Sequence, residues 1–303
     1  MKHLLKLGDL SSTEIEEVLN LADQLKYDKK HGIDHSYLKG KTLGMIFQKS
    51  STRTRVSFET GMYHLGGNAL FLSSRDLQIG RGEPIEDTAR VLSRYLDGIM
   101  IRTYEQSEVE ALAKYGSIPV INGLTDYCHP CQVLADLMTV REHKGSLAGL
   151  KLTFIGDGNN MANSLIVGGI KCKMKVSVAC PAGYLPDKDI MKWAEDNGDF
   201  CCTDDIAAAV ADADVVYTDV WASMGQENER VEREKVFKGF QVNEEFMSLA
   251  KNDAMVLHCL PAHRGEEITA ETFEKHAGEI FDEAENRLHA QKAVMVLTMG
   301  DKK

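Results

Sequence analysis

Between Ser51 and Arg55, in the stretch QKSSTRTRVSFE, three hydroxyls and two guanidinium groups fall within five positions. They come shortly after the apolar run TLGMIF, residues 42–47. A helix that starts here presents free backbone N–H groups and the positive end of its dipole. The hydroxyls add donors, and arginine forks match phosphate oxygens two at a time. Serine and threonine are also ordinary helix caps, so one hydroxyl and one arginine would mean no more than a capped helix. The density here points to a phosphate-sized anion, with Ser51, Thr52, Arg53 and Thr54 as its ligands.

Other stretches carry chemistry of the same kind. Arg102 ends DGIMIRT, where a charge closing a buried strand must be paired or functional. HPCQ places His129, Cys131 and Gln132 at a helix start, where His and Gln can hydrogen-bond a carbonyl or an amide. FIGDGNNMANS resembles a dinucleotide loop only in part: Gly156 and Gly158 fit G-x-G, but Met161 stands where the third glycine belongs. The next strand ends VACPAG, with no acidic residue for a ribose hydroxyl, so NAD is disfavoured. The plain reading is a tight turn that projects Asn159 and Asn160. DVWASMG carries Asp219, which could cap a turn or receive a substrate ammonium, followed by Ser223, Met224 and Gly225. LHCLPAHRG sets Cys259 beside His258, His263 and Arg264. A lone cysteine is often a small buried hydrophobe, and no base or oxyanion hole for a thioester is legible beside it. H-x-C and H-C lack the spacing of structural zinc sites, so no required metal is expected.

These residues need a frame, and the chain supplies one. Apolar runs at 42–47, 68–72, 98–101 and 119–121, then at 151–155, 175–179, 215–220 and 255–260, read as strands. Helical patterns separate them, among them IEDTARVLSRYL and DDIAAAVADA. Apolar strands alternating with helices imply parallel sheets covered on both faces, hence α/β and two doubly wound domains. HPCQVLADLMTVREHKGSL and EAENRLHAQKAVMVLTM read as two long helices, the first connecting the domains and the second docking back on the first. Ligands in such sheets sit at the carboxyl ends of strands. Nearly every loaded stretch follows a strand, including SSRDLQ with Gln78, so facing strand ends would gather them in one cleft.

Bulk composition excludes several classes. The chain has 303 residues, enough for two domains, and a formal net charge of −11. A general nucleic-acid or anionic-membrane surface is therefore not expected, and any anion must be held in a local pocket. No apolar run is long enough to cross a bilayer, and the first residues turn acidic too early for a signal peptide. Seven cysteines without a framework spacing suit reduced thiols in a cytoplasm.

SSTRTR, HPCQ, DVWASMG and HCLPAHRG occur in an order and spacing that resembles the carbamoyltransferase family over essentially the whole chain. S-T-R-T-R and H-P-x-Q resemble the carbamoyl-phosphate signature shared by the aspartate and ornithine enzymes, while S-M-G with H-C-L-P resembles the ornithine branch. The resemblance implies that Ser51, Thr52, Arg53, Thr54 and Arg102 bind the phosphate of carbamoyl phosphate. It implies that His129 and Gln132 hold the carbonyl and amide end, and that Arg287 also contacts this substrate. Gln78 would reach a neighbouring subunit's site, and glutamine there, where the aspartate branch has lysine, fits the ornithine side. Asn160, Asp219, Ser223 and Met224 would bind L-ornithine, and Cys259 and Leu260 would line the reacting centre. Residues 1–143 would form the carbamoyl-phosphate domain, with helix 284–303 docking back on it, and 144–283 the ornithine domain. The smallest assembly would be a homotrimer. The expected reaction yields citrulline and phosphate in arginine metabolism without an organic cofactor, because the leaving group is already activated. A dinucleotide oxidoreductase and a non-catalytic binding protein are the competing readings.

Overall fold

The computed structural model describes residues 1–222 and 227–301. Ser223 and Met224 lie outside the described residues. The chain divides into two compact units, Met1–Met138 with Asn286–Lys303, and Thr139–Glu285.

In the first unit, α1 (Ser12–Lys30) precedes β1 (Thr42–Phe47), α2 (Thr52–His64), β2 (Asn68–Ser73) and α3 (Ile85–Leu92). Then come β3 (Gly98–Arg102), α4 (Gln106–Tyr115), β4 (Val120–Leu124) and α5 (Pro130–Lys144). The sheet runs β2-β1-β3-β4 with every pair parallel. The inner strand β3 is buried throughout, as a sheet covered on both faces requires. Strand order reverses between β1 and β3, and in an open α/β sheet the crevice at such a reversal is the natural ligand site. Register pairs Phe47 with Arg102, so the loops leaving β1 and β3 start side by side.

Helix α2 is amphipathic in the sense that fixes its start. Thr54, Phe58, Gly61 and Met62 are its buried positions, a helical repeat. Full burial of Phe58 and Met62 contributes roughly 1.5–3 kcal/mol each. Gly61 faces α12 (Ala277–Met299) closely: a Cβ would stand 2.7 Å from the Met295 methyl and 3.3 Å from Lys292 Cγ. The helix that presents the SSTRTR cap is thus clamped from behind.

The second unit contains β5 (Lys151–Ile155), α6 (Asn160–Lys171), β6 (Lys175–Ala179), α7 (Lys188–Asn197), β7 (Phe200–Thr203), α8 (Ile206–Val210) and β8 (Val215–Thr218). It continues through α9 (Arg230–Val236), α10 (Glu244–Met247), β9 (Met255–His258) and α11 (Ala270–Lys275). Its sheet is parallel, in the order β7-β6-β5-β8-β9, with the reversal between β5 and β8. Ile155 pairs with Thr218, which sets the loops holding Asn159 and Asp219 next to each other.

Two α/β units with central parallel sheets are as expected, and the differences lie in element boundaries and one strand. β7 is an additional edge strand. β8 and β9 end at Thr218 and His258, two residues short of the apolar runs that suggested them. Val220 and Leu260 are apolar loop residues, not strand residues. Helix α3 stops at Leu92, before the end of its apolar pattern, and α12 starts at Ala277, ahead of the stretch that suggested it.

Candidate active site

In the first unit the SSTRTR stretch caps α2 as its composition suggests. The Ser51 hydroxyl accepts from the Thr54 backbone N–H at 3.2 Å. Thr54 is buried, and its hydroxyl oxygen accepts from Arg287 Nη2 at 3.2 Å. Arg287 Nη1 donates to Gln132 Oε1 at 2.6 Å, and Gln132 Nε2 donates to Asp136 Oδ1 at 2.8 Å. With the Gln291 amide oriented to satisfy its neighbours, its oxygen accepts from Arg287 Nη2 at 2.9 Å and Nε at 3.0 Å. Its nitrogen then donates to Ser57 Oγ at 2.5 Å, and that hydroxyl donates to the Arg53 carbonyl at 2.6 Å. One buried chain of polar groups therefore joins the α2 start, the α5 start and α12. Thr54, Gln132 and Arg287, separated by as much as 233 positions, meet in it.

His129 directly precedes α5, whose first residue is Pro130, a residue suited to that position. The His129 ring is buried. Burial first, then the charges of Arg287, Arg102 and Arg53, hold its pKa well below 6.5. It is a neutral imidazole at neutral pH, able to donate one N–H. Arg102 is also buried and closes β3. Arg55 is different. Its Nε pairs with Glu59 at 3.0 Å and its guanidinium lies 3.8 Å from the Phe71 ring, so this arginine braces β2. Gln78 opens a 3-10 turn, Gln78–Arg81, and is exposed.

In the second unit Asn159 caps α6: its Oδ1 accepts from Met161 N at 2.9 Å and Ala162 N at 3.2 Å. Its Nδ2 donates to Asp219 Oδ2 at 3.0 Å. Asp219 is buried, and its Oδ1 accepts from Val220 N at 2.8 Å and from Cys259 Sγ at 3.1 Å. The loops after β5, β8 and β9 thus meet at one carboxylate. Asn160 is half-buried in the first turn of α6, while Asn159 supplies the contact to Asp219.

Beneath Cys259 lies a second network. His258 Nδ1 accepts from Leu260 N at 2.9 Å, so its proton sits on Nε2, 3.0 Å from Glu267 Oε1. That carboxylate oxygen also accepts from His263 N at 2.6 Å. Leu260 has φ +58°, a strained region for a branched side chain, and this network holds it there. Arg233 ties the other two loops, donating to Asp157 Oδ2 at 2.8 Å and to the Trp221 carbonyl at 2.9 Å. Burial raises the Asp157 pKa, opposed by the Arg233 charge.

The G-x-G fragment acquires a plain cause. A Cβ on Gly158 would lie 2.2 Å from the backbone of Leu185 and Pro186, and Gly158 N donates to Tyr184 O at 2.8 Å. The glycine makes room for a neighbouring loop. Ligand-type atoms of Asp219, His258 and Cys259 lie within 4.8 Å of one another, as do those of His263, Glu266 and Glu267. In the first group the His258 and Cys259 atoms are already hydrogen-bonded within the chain, to Leu260 N and Asp219.

Gln291, Asp136, Arg233 and Glu267 act on these side chains and were not singled out from the sequence. Gln291 and Asp136 leave a readable trace, four positions after Arg287 and Gln132 on their own helices, where side chains meet.

The chain matches two family models. Residues 2–142 match the carbamoyl-P binding domain of aspartate/ornithine carbamoyltransferase, and residues 148–298 its Asp/Orn binding domain. An ornithine carbamoyltransferase of Carboxydothermus hydrogenoformans is 58% identical over 99% of this chain and 98% of its own. The solved ornithine carbamoyltransferase of Pyrococcus furiosus superposes with a TM-score of 0.95 at 55% identity, covering 100% of this chain and 98% of that one. An acetylornithine transcarbamylase complexed with acetylcitrulline is more distant, with 34% identity, a TM-score of 0.87, and 99% and 100% of the two chains covered. Both halves of the chain and its full length thus lead to one assignment: it belongs to the aspartate/ornithine carbamoyltransferase family.

Proposed function

We propose that the protein transfers the carbamoyl group of carbamoyl phosphate to the δ-amine of L-ornithine, giving L-citrulline and phosphate. The observation that carries this reading is the content of the two strand-order reversals. One holds a hydroxyl-rich helix cap beside a buried arginine, and the other a buried carboxylate beside a thiol. The first suits an acyl phosphate and the second suits an ammonium. Relatives up to 58% identical that carry the name ornithine carbamoyltransferase support the same reading, as does one named anabolic, from Pyrococcus furiosus.

The first unit would bind carbamoyl phosphate. Ser51, Thr52, Arg53, Thr54 and Arg102 would take the phosphate oxygens, and Arg287, His129 and Gln132 the reactive end, with Cys259 and Leu260 of the second unit as further expected contacts. The second unit would bind ornithine through Asn160, Asp219, Ser223 and Met224. The neutral δ-amine attacks the carbonyl carbon, and charge develops on the carbonyl oxygen. Arg102, neutral His129 and Thr54 are the donors for that charge. Thr54 accepts from Arg287, which leaves its own proton to give. The bond to the phosphate oxygen then breaks, and phosphate departs and takes the amine proton. The Cys259 thiol donates to Asp219, which suits a wall that sets the carboxylate in place and not a nucleophile.

A homotrimer is part of this reading, with Gln78 supplied to a neighbouring copy. It is supported by the exposure of Gln78 and of Val56, Tyr63, Leu70 and Phe71 on α2 and the edge strand β2. The setting of this reading is arginine metabolism in the cytoplasm. Among the described residues no helix is long and apolar enough to cross a membrane. The test is to incubate the protein with carbamoyl phosphate and ornithine and to measure citrulline and phosphate together. The two should appear in equal amounts. Phosphate release without citrulline would refute the transfer.

A further inference from the structure

Ser51–Thr54, Arg102 and His129 stand at the ends of three different strands, β1, β3 and β4, or just beyond them. Something must keep their spacing. The backbone does part of this: Gln48 N donates to the Arg102 carbonyl at 2.9 Å, and Asp126 N to the Tyr104 carbonyl at 2.9 Å. The Gln48 amide and the Thr103 hydroxyl both donate to Glu108 Oε2.

One side chain touches all three loops. Lys49 lies two residues before Ser51, in the loop after β1. Its ammonium is ion-paired to Asp126, three residues before His129, and sits 4.3 Å from the centre of the Tyr104 ring, two residues after Arg102. Its side chain is 5% exposed, whereas that of Asp126 is 60% exposed. Burying an ammonium is costly unless it is paired, and the cation–π contact with Tyr104 adds to the ion pair. A long flexible chain at this spot is an expensive choice for a loop whose neighbours already offer Arg53 and Arg102 for an anion.

We infer that Lys49 is a positioning residue for carbamoyl phosphate: its ammonium locks the β1, β3 and β4 loops at the spacing the phosphate and carbonyl ligands need. This rests on the proposed reading of the first unit. Lys49 bonds a carboxylate and an aromatic face, so it acts through Ser51, Arg102 and His129 and does not itself hold the phosphate.

The test is steady-state kinetics and thermal melting of Lys49→Met, Lys49→Arg, Asp126→Asn and the Lys49→Met/Asp126→Asn pair, with Arg53→Ala as control. Small misplacements of binding groups cost up to about 100-fold, so Lys49→Met should raise the KM for carbamoyl phosphate ~10-fold or more. The KM for ornithine, at saturating carbamoyl phosphate, should stay as in the parent. Lys49→Arg keeps the charge and the aromatic contact and should restore most of the affinity. Asp126→Asn should shift the same KM about threefold, and the double variant should be no worse than Lys49→Met.

An unchanged carbamoyl-phosphate KM in folded Lys49→Met overturns the inference. So does a rise in both KM values together with a drop in melting temperature, the mark of a merely structural residue. If Lys49→Met does not fold, Asp126→Asn carries the test at an exposed position, and an unchanged KM there is equally adverse. Arg53→Ala separates the two levels. If it keeps its carbamoyl-phosphate affinity, the reading of the first unit fails; if it loses affinity while the Lys49 variants do not, only the positioning role fails.

Discussion

Arg287, a carbamoyl-phosphate contact on the reading above, is held within the chain: Thr54, Gln132 and Gln291 engage all three of its nitrogens. Such fixing removes the rotamer freedom that would otherwise be lost on binding. The first prediction is at Arg53. Arg53→Ala should abolish measurable carbamoyl-phosphate binding by calorimetry while the far-ultraviolet spectrum stays that of the parent. Lysine at this position should rescue poorly, since a point charge does not reproduce the fork. Near-normal binding in Arg53→Ala would remove it from the site. The second prediction is at Asp219. Asp219→Asn keeps most of the shape but not the charge, and hydrogen bonds to charged groups are worth about 1.5–3 kcal/mol. Its kcat/KM for ornithine should fall about thirtyfold, roughly 2 kcal/mol, with carbamoyl-phosphate affinity unchanged. Equal loss for both substrates would mean that the carboxylate only holds the loops. At this scale residue type alone singles out Ser51, Thr54, Arg102, His129 and Asp219, and the fold sets them at helix starts and strand ends. Lys49 and Glu267 work through other side chains, and nothing in their spacing distinguishes them from solvated polar residues, while Asp136 and Gln291 show no more than an i, i+4 spacing to Gln132 and Arg287. Asn159 falls between: its place at a helix start was legible, its bond to Asp219 was not.

Helix α12 carries its own testable electrostatics. His289 is buried on it, and burial, then the charges of Lys292 and Lys26 and the rings of His64 and His35, lower its pKa to about 3. His64, closing α2, is lowered to about 4, again chiefly by burial. Unfolded, both rings take up a proton near pH 6.5; folded, they resist until far lower. Acid therefore favours the unfolded chain, and stability falls as pH drops from about 6.5 towards 3. The melting temperature of His289→Gln should decline less between pH 7 and pH 4 than that of the parent. Parallel curves would contradict the assignment. The frame of elements was largely readable, because buried parallel strands such as β3 are continuous apolar runs. β7 was not. Its four residues, FCCT, form a partly exposed edge with no alternation, so no apolar run marks them. β8 and β9 were read two residues too long because Val220 and Leu260 are apolar for loop reasons. Leu260, with its positive φ, illustrates the limit: a strained turn held by the buried His258–Glu267 pair has no local sequence signal.

The whole molecule carries a net charge of −11 and yet, on the reading above, draws in a doubly charged substrate. Local arginines must therefore outweigh the global field, and added salt should weaken carbamoyl-phosphate binding less than it would for a surface site. Assembly gives a prediction at the same scale. Gln78→Ala and Arg53→Ala should each be inactive, and mixing them should regenerate some activity once subunits exchange, because a trimer of both kinds contains some unaltered sites. Exchange seen by mass without any gain in activity would place Gln78 in its own chain's site. The most direct test of the central claim is a competition among acceptors at fixed carbamoyl phosphate. Ornithine presents an α-ammonium for Asp219 and an α-carboxylate, and its δ-amine has the required reach. Lysine is one methylene too long, putrescine lacks the carboxylate, and N-acetylornithine offers no charge at the α-nitrogen. Aspartate has no terminal amine and brings a second carboxylate towards Asp219. Norvaline, which copies all but the reacting nitrogen, should inhibit competitively. Each buried group left unpaired costs about 1–3 kcal/mol, so kcat/KM for ornithine should exceed that for every other acceptor by ~10-fold or more. Comparable kcat/KM for putrescine and ornithine would show that Asp219 and its neighbours do not read the α-carbon groups, and would contradict the assignment of ornithine as the substrate.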